Sequence, residues 1–168
     1  EKGELVPSCS RFLRLNTLMN DILGLSRIFS GKMKPATIMT DWDHNNSSVV
    51  DQVMGSFMFM RRIDFVKLGG FVEQFFMYYE DMDLAKRILT LGKYSYYLSD
   101  VRIIHTGCGT SGSVKDRRLF YSLSSRIKYS RKHLSRGESF FITLITIFPE
   151  SFTRVLYSLI LKGSIRDA

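Results

Sequence analysis

The spacing of apolar residues predicts short helices and strands that follow one another along the chain. Apolar positions recur every three or four residues in helical segments and form short continuous runs in strand segments. This pattern predicts helices over residues 12–23, 62–68, 83–91 and 113–135, and strands over residues 36–39, 53–60, 94–98 and 101–104. Since an uninterrupted apolar run is typical of a strand covered on both faces, we expect residues 53–60 to be buried.

Two apolar segments follow the last and longest predicted helix. Residues 140–148 form a nearly continuous apolar run, and residues 152–160, after Pro149, have amphipathic spacing. The run is too short to cross a bilayer, which needs about 18 to 20 apolar residues. These segments either lie in a membrane interface, or pack as helices on the domain or on a second copy of the chain as a homo-oligomer contact.

Composition and cysteine usage restrict the class of protein. A chain of 168 residues with 45% hydrophobic residues can form one globular core. Cys9 and Cys108 do not form a CxxC pair, so neither a disulfide scaffold nor a zinc site is indicated. No signal-peptide pattern is visible at the N-terminus. These features favour a cytoplasmic protein, and the basic and apolar segments favour a peripheral position at the inner face of the membrane.

Positive charge is concentrated in the helix predicted over residues 113–135. Residues 115–136 contain eight Lys and Arg side chains and one Asp, and so account for most of the net charge of +8. Such a segment can bind anionic lipid, nucleic acid or a pyrophosphate-linked substrate, or it can be a solvated helix face. No nucleic-acid recognition motif accompanies it, so we expect no nucleic-acid partner.

Three carboxylates crowd the start of the helix predicted near residue 83. Glu80, Asp81 and Asp83 follow an aromatic run that ends in Tyr78 and Tyr79. A helix N-terminus favours negative charge, so an ionised carboxylate there is suited to accept a proton from a substrate hydroxyl. The alternative interpretation is an acidic helix cap without a chemical role, and we expect Asp83 to be such a cap.

Several short motifs occur in a fixed order along the chain. They are Pro7-Ser8-Cys9, Trp42-Asp43-His44, Val50 to Gly55 with Ser56, Leu68 to Phe71, Glu80-Asp81, Leu91 to Tyr94, and the glycine-rich segment from His105 to Ser111. Over residues 5–135 this order resembles the C-terminal half of inverting family-2 glycosyltransferases, in particular the rhamnosyltransferase-like branch of bacterial surface-polysaccharide synthesis. The resemblance implies an α/β fold. Residues 1–112 would be the acceptor-side half of a GT-A type domain, and residues 113–168 would be amphipathic helices.

The resemblance also implies an enzyme that transfers a sugar, with rhamnose as a candidate, and inverts the anomeric carbon. The donor would be a nucleotide sugar and the acceptor a glycan or a lipid-linked glycan. Asp81 matches the general base, and the implied substrate-binding residues are Glu80, Gly55, Ser56, Trp42, Asp43 and Tyr79. His105 would help to hold a divalent metal, Mg²⁺ or Mn²⁺, that stabilises the leaving diphosphate, or else is structural. Gly55 could also be a packing glycine, and Tyr79 a core residue.

Two features limit what the resemblance implies. Asp41-Trp42-Asp43 has the D-x-D form used for metal and nucleotide sugar, but it stands where this branch has its Trp-Asp-His motif, so we expect an acceptor-side loop. No glycine-rich phosphate turn follows a predicted strand, so we expect the nucleotide-binding half to be absent and this chain alone to be inactive. The alternative function is a non-catalytic basic module that binds a membrane surface or nucleic acid through residues 115–136 and leaves Gly55, Asp81 and His105 without a role.

Overall fold

The computed structural model describes residues 5–23, 37–105 and 115–148. Its helices are α1 (Leu15–Leu23), α2 (Arg62–Lys67), α3 (Glu80–Ile88), α4 (Lys115–His133) and α5 (Arg136–Ile147), with a 3₁₀ turn at Leu89–Leu91. Its strands are β1 (Cys9–Ser10), β2 (Ser48–Val50), β3 (Gln52–Val53) and β4 (Ser95–Tyr97). The mixed α/β character is therefore confirmed. The apolar segment 152–160 lies outside the described residues.

The strands form two small antiparallel sheets. β1 pairs with β3 with Cys9 opposite Val53, and β2 pairs with β4 with Val49 opposite Tyr96. The strand predicted over residues 36–39 is reduced to a single bridge between Ser10 and Ile38. The prediction of a strand over residues 101–104 was wrong, because these residues are exposed and are not paired in a β-ladder.

The apolar segment 53–60 is not the buried strand that its pattern predicted. Only Gln52–Val53 pairs, after which the chain turns and the Phe57 N–H donates to the Met54 carbonyl oxygen at 3.4 Å. The Gly55 N–H donates to the side chain of Asp81 and not to a neighbouring strand, so the ladder cannot continue. Phe59 is 95% exposed. The segment forms the wall of an open cavity instead of an interior strand.

One hydrophobic core joins the C-terminal helices to the residues before them. The buried side chains of this core are Phe12, Leu13, Leu18, Phe75, Met82, Ala85, Tyr129 and Ile142. α5 begins with a capping box between Ser135 and Glu138, which satisfies free N–H groups at its first turn. No helix in the described ranges is both long and apolar enough to cross a bilayer.

The face that the basic helix α4 buries is not its apolar stripe. Leu119, Leu123 and Ile127 form such a stripe by their spacing, but they are only half-buried. Ser125, Tyr129 and Ser130 are the buried residues of this helix. The two serines can occupy the buried face because their hydroxyls donate to carbonyl oxygens there, Ser125 Oγ to Met77 at 2.8 Å and Ser130 Oγ to Ile127 at 2.9 Å.

α3 begins three residues earlier than its apolar spacing predicted. Its N-cap residue is Tyr79, which has a left-handed backbone, and Glu80 and Asp81 occupy the first turn. The prediction that Asp83 caps this helix was wrong, because Asp83 lies inside the helix and its own N–H donates to the Tyr79 carbonyl oxygen at 2.8 Å. The early start places Asp81 on one side of α3 and Asp83 on another.

Candidate functional site

An open cavity of ≈ 2740 Å³ extends along the segment after β3, the start of α3 and the segment after β4. Its wall includes six of the residues that the motifs single out, namely Gly55, Ser56, Tyr79, Glu80, Asp81 and His105. A wide concave surface with convergent polar groups is the usual form of a ligand site. The structure thus brings these residues together at one surface although up to 50 positions separate them in the chain.

Asp81 lies in the first turn of α3 and faces Gly55 across the cavity wall. Its Oδ2 accepts a hydrogen bond from the Gly55 N–H at 2.8 Å, and its Oδ1 accepts one from the Met82 N–H at 2.8 Å. A Cβ atom added at Gly55 would lie 3.4 Å from Asp81 Oδ2, an ordinary van der Waals distance, so this hydrogen bond does not itself require a glycine. A carboxylate offers about four lone-pair positions, which leaves room for a further donor from the cavity.

Glu80 differs from its neighbour because its carboxyl group has a buried oxygen. Glu80 Oε2 is inaccessible to solvent and has no hydrogen-bond partner among the described residues. Burial raises the pKa of Glu80 above its usual value, a backbone hydrogen bond partly lowers it, and the negative charge of Asp81 raises it again. A carboxyl group with a raised pKa is more readily protonated, and in that form it can donate a hydrogen bond as well as accept one.

Tyr78 and Tyr79 form an unusual turn directly before these carboxylates. Both have positive φ angles, 66° and 67°, which side chains of this size rarely adopt. The Tyr79 ring lies 5.5 Å from the ring of Tyr129, and Tyr79 also lines the cavity. Both interpretations of Tyr79 therefore have a structural counterpart, since its ring contacts the core and also borders the cavity.

Trp42 and Asp43 are not among the residues that line this cavity. Trp42 stacks on the buried His44 with ring centroids 4.4 Å apart, and Tyr97 of β4 packs edge-on against both rings. Asp43 accepts hydrogen bonds from the backbone and side chain of Asn45 at 3.1 Å. Their substrate-binding role remains a prediction, and the structure places it at a separate aromatic cluster of Trp42, His44 and Tyr97.

The described residues do not assemble a metal site. His105 is exposed at the cavity wall, and within residues 5–23, 37–105 and 115–148 no three His, Cys, Asp or Glu side chains lie close enough to hold an ion. Asp41 of the D-x-D sequence instead pairs with Arg11, with Nη2 and Oδ2 2.8 Å apart. The rest of the predicted glycine-rich loop lies outside the described residues, so the metal role of His105 remains a prediction.

The sequence interpretation missed residues of α4 that reach the site. Ser122 and Arg126 line the cavity, and Arg126 Nε donates to the Tyr79 hydroxyl at 3.3 Å. Arg118 Nε donates to the Tyr78 hydroxyl at 3.0 Å. The signal was present in the spacing, because positions 118, 122 and 126 are four residues apart and share one helix face.

Asp83 lies on the packed side of α3, where its carboxylate contacts three basic side chains. The fully buried carboxylate meets Arg87 Nε at 2.8 Å, Lys132 Nζ at 2.6 Å and His133 Nε2 at 2.6 Å. We call Asp83, Arg87, Lys132 and His133 the Asp83 cluster. Burial alone would raise the pKa of Asp83, but hydrogen bonds from His133, Lys132 and Arg87 outweigh it and lower the pKa to about 2. The cluster joins α3 to the end of α4.

Arg87 extends this cluster to the end of α2. Its Nη1 donates to the Leu68 carbonyl oxygen at 2.6 Å and its Nη2 donates to the Gly70 carbonyl oxygen at 2.7 Å. Gly69 and Gly70 both have positive φ angles, as expected where glycines end a helix. The Leu68 to Phe71 motif therefore supports α3 from its packed side.

Part of the chain is similar in sequence to bacterial rhamnosyltransferases. The chain is 33% identical to rhamnosyltransferase WbbL of Escherichia coli over 96 residues, which are 56% of this chain and 36% of that protein. It is 36% identical to N-acetylglucosaminyl-diphospho-decaprenol L-rhamnosyltransferase of Mycobacterium tuberculosis over 63 residues, which are 38% of this chain and 20% of that protein.

No protein-family model and no solved structure matches the chain. The chain spans about a third of the length of the E. coli relative and a fifth of the M. tuberculosis one. The resemblance to rhamnosyltransferases is confirmed over part of the sequence, whereas family 2 and the GT-A type remain predictions. Over this part of its length, the chain is similar to bacterial sugar transferases that carry rhamnose in their names.

Proposed function

We propose that this sequence forms the acceptor-side half of an inverting, rhamnosyltransferase-like glycosyltransferase with a GT-A type fold. The observation that carries the proposal is the position of Asp81, whose carboxylate is fixed by two backbone N–H groups at the wall of an open cavity. The relatives are sugar transferases, and the cavity wall combines this carboxylate with a second carboxyl group and tyrosine side chains.

In the proposed reaction, Asp81 acts as the general base. It accepts the proton of the acceptor hydroxyl while that oxygen attacks the anomeric carbon of the donor, and the nucleotide diphosphate leaves from the opposite face. Fixation by Gly55 and Met82 keeps the carboxylate oriented, so that reorganisation during the step is small. The positive end of α3 favours its negative charge before the proton arrives.

Glu80 is the proposed acceptor-binding residue beside this base. Its buried Oε2 lacks a partner among the described residues, and burial of a polar atom without a hydrogen bond is unfavourable. Rotation of this carboxyl group towards the cavity, which Glu80 lines, would allow a sugar hydroxyl to supply that partner. Ser56 offers a hydroxyl at the same wall, and Gly55 leaves space for the sugar ring to approach the backbone.

We propose that the acceptor is a sugar diphosphate carried on an isoprenoid lipid and that the donor is a nucleotide sugar. The acceptor class follows the name of the M. tuberculosis relative, which contains N-acetylglucosaminyl-diphospho-decaprenol. When bound, Mg²⁺ or Mn²⁺ would neutralise charge on the leaving diphosphate. The described side chains do not form a site for the ion, so every step above is assigned to protein groups alone.

A lipid-linked acceptor requires contact with a membrane, and α5 offers a surface for it. Phe140, Phe141, Leu144, Ile147 and Phe148 are all exposed and recur at helical spacing. Ile142 is fully buried and Ile145 packs against the core, so they cannot insert as part of an anchor. We propose that the five exposed residues, named the α5 lipid face, contact the inner face of an anionic bilayer.

The alternative function, a non-catalytic basic module, has less support. Arg118, Arg126, Lys128 and Lys132 of α4 form hydrogen bonds or ion pairs with residues of the 74–83 segment. These cations therefore hold the site in addition to carrying charge. The same observation lowers the number of cations available for an anionic surface or for nucleic acid.

The experiment is the substitution Asp81→Asn, with Glu73→Gln as a matched control at an exposed carboxylate that does not line the cavity. Because the chain spans 36% of the E. coli relative, turnover is measured in a chimera with the unmatched part of that enzyme. Asp81→Asn keeps the shape and removes the proton acceptor, so turnover should fall by about 10²- to 10⁴-fold. Near-normal transfer by Asp81→Asn would refute the role, and loss in Glu73→Gln would show that the assay reports stability.

A further inference from the structure

The turn at Tyr78 and Tyr79 stores backbone strain immediately before the two cavity carboxylates. Two consecutive left-handed residues with bulky side chains cost about 1–3 kcal/mol each, and such strain persists only where the surroundings hold the turn in place. Glycine would adopt the same angles without this cost. Since tyrosines occupy both positions, contacts of their side chains must compensate for the strain of the turn.

α4 holds this segment by side-chain hydrogen bonds along its length. The donor and acceptor pairs are Lys128 Nζ to the Gln74 carbonyl oxygen at 2.8 Å, Ser125 Oγ to the Met77 carbonyl oxygen at 2.8 Å, Arg118 Nε to the Tyr78 hydroxyl at 3.0 Å, and Arg126 Nε to the Tyr79 hydroxyl at 3.3 Å. Both strained residues are thus tied to the same helix through their phenol groups.

The turn at Tyr78 and Tyr79 also determines where α3 begins. Tyr79 is the N-cap residue of that helix, and its carbonyl oxygen accepts the hydrogen bond from the Asp83 N–H. A rotation at Tyr79 would therefore move the whole first turn, including Asp81. The hydrogen bond between Gly55 N–H and Asp81 Oδ2 is 2.8 Å long and spans two separate segments, so it is sensitive to such a movement.

We propose that Arg126, acting through the hydroxyl of Tyr79, is a positioning residue for Asp81 and Glu80, with Arg118 and Tyr78 as the supporting pair. The carboxylates are set by α4 and not by their own helix alone. This inference rests on the proposed function for its catalytic meaning, but the structural coupling between α4 and Gly55 can be tested without it. It assigns to part of the basic helix a role in the site in place of a role at an anionic surface.

The structural test uses this chain and three variants. Tyr79→Phe keeps the ring and removes the hydroxyl, Arg126→Met removes the donor, and Arg131→Met is the control at an exposed position of the same helix. Hydrogen exchange of the Gly55 amide should become about 2- to 10-fold faster in the first two variants, the factor that corresponds to one hydrogen bond. Exchange of the Ile142 amide in the core should be unchanged in all three.

The catalytic test uses the chimera with the E. coli relative described above. A misplaced base lowers kcat by about 10- to 100-fold and leaves KM for the donor unchanged, because the donor does not contact the turn in this account. Arg126→Lys keeps the charge but not the planar donor group, so it should restore only part of kcat. The control Arg131→Met should retain wild-type values.

The outcomes separate this inference from the proposed function. Wild-type exchange at Gly55 in both Tyr79→Phe and Arg126→Met would overturn the inference, even if Asp81→Asn is inactive. Faster exchange at Gly55 and Ile142 together would also overturn it, because it would show a general loss of stability. Faster exchange at Gly55 alone, combined with normal transfer by Asp81→Asn, would support the coupling and refute the base.

Discussion

The two sides of α3 carry carboxylates only two residues apart that have opposite environments. Asp81 faces an open cavity, and the oxygens of its carboxylate accept hydrogen bonds from backbone N–H groups of Gly55 and Met82. Asp83 is fully buried and is surrounded by three cationic or potentially cationic side chains. A carboxylate held by neutral donors at a surface can still take a proton, whereas one paired with an arginine, a lysine and a histidine serves to hold helices together.

The difference shows how helix geometry divides a short acidic run between chemistry and stability. Positions two apart on a helix point in directions roughly 200° apart, so Asp81 and Asp83 cannot share a surface. Hydrogen bonds from the Asp83 cluster fix the packed side of α3. A rigid helix then presents Asp81 to the cavity in one orientation, as precise placement of a base requires.

We expect the largest effect from a substitution on the packed side of α3. Asp83→Asn leaves Arg87, Lys132 and His133 without their common counter-charge in a mostly buried site. The free energy of unfolding should fall by about 3 kcal/mol, the lower end for a broken buried ion pair. Urea unfolding measures the loss. The control Asp41→Asn removes an exposed pair with Arg11 and should cost no more than about 1 kcal/mol.

Acid should remove the same stabilisation without a substitution. The pKa of Asp83 is lowered from 3.8 to about 2 in the folded protein, because the hydrogen bonds from His133, Lys132 and Arg87 outweigh burial. The group therefore stabilises the fold fully above about pH 5, and this contribution is lost as the pH falls towards 2. The lowered pKa corresponds to ~2 kcal/mol of stability.

The measurement is the difference in unfolding free energy between wild type and Asp83→Asn, in urea at several pH values. This difference should shrink as the pH falls from 5 to 2, because the protonated wild-type side chain then resembles the amide. A difference that stays constant across this range would contradict the assigned pKa. The control Asp41→Asn should keep the acid-dependent loss of stability that Asp83 causes, since that substitution leaves the Asp83 cluster intact.

A smaller effect is expected at the α5 lipid face. The double variant Phe140→Ser and Phe148→Ser should bind vesicles of anionic lipid about tenfold more weakly than wild type, since it loses two exposed aromatic groups. The matched control is Ile63→Ser with Val66→Ser on α2, which are 74% and 65% exposed. Co-sedimentation at low and high salt measures binding.

Two results would contradict the lipid proposal. If wild type remains in the supernatant with anionic vesicles at low salt, α5 does not contact the bilayer. If wild type forms a dimer without vesicles and the Phe140→Ser and Phe148→Ser variant does not, the face is an interface between two copies of the chain. High salt should weaken only the part of binding that depends on charge, because the Debye length shrinks to about 3 Å at 1 M.

Sequence patterns predicted the elements that depend on local spacing. α1, α2, α4 and β4 lie close to their predicted positions, and α2 ends before Gly69 and Gly70, which have positive φ angles. The prediction of a buried strand over residues 53–60 was wrong because these side chains border a cavity. An apolar run in a sequence does not show whether the run lies in the core or at a cavity wall. The start of α3 was misplaced because two left-handed tyrosines are not typical of an N-cap.

The motifs predicted the residues of the cavity better than the contacts between them. Gly55 and Asp81 were selected from separate motifs, and the structure joins them by a hydrogen bond. Arg87, four residues after Asp83 on the same helix, is a partner that the spacing could have indicated, whereas His133 could not be predicted because it lies 50 residues further along the chain. Trp42 and Asp43 belong to the same ordered set of motifs but do not line the cavity. The order of motifs along a chain does not determine whether their residues lie at the same surface.

We propose that the cavity side of α3, and not its packed side, binds the acceptor. The most direct measurement is an NMR titration of this chain with N-acetylglucosaminyl diphosphate on a short prenyl chain. We expect shifts in the amide signals of Gly55, Ser56, Glu80 and Asp81, and no change in those of Tyr129, His133 and Ile142. Shifts confined to the packed side, or no shift at millimolar ligand, would contradict it.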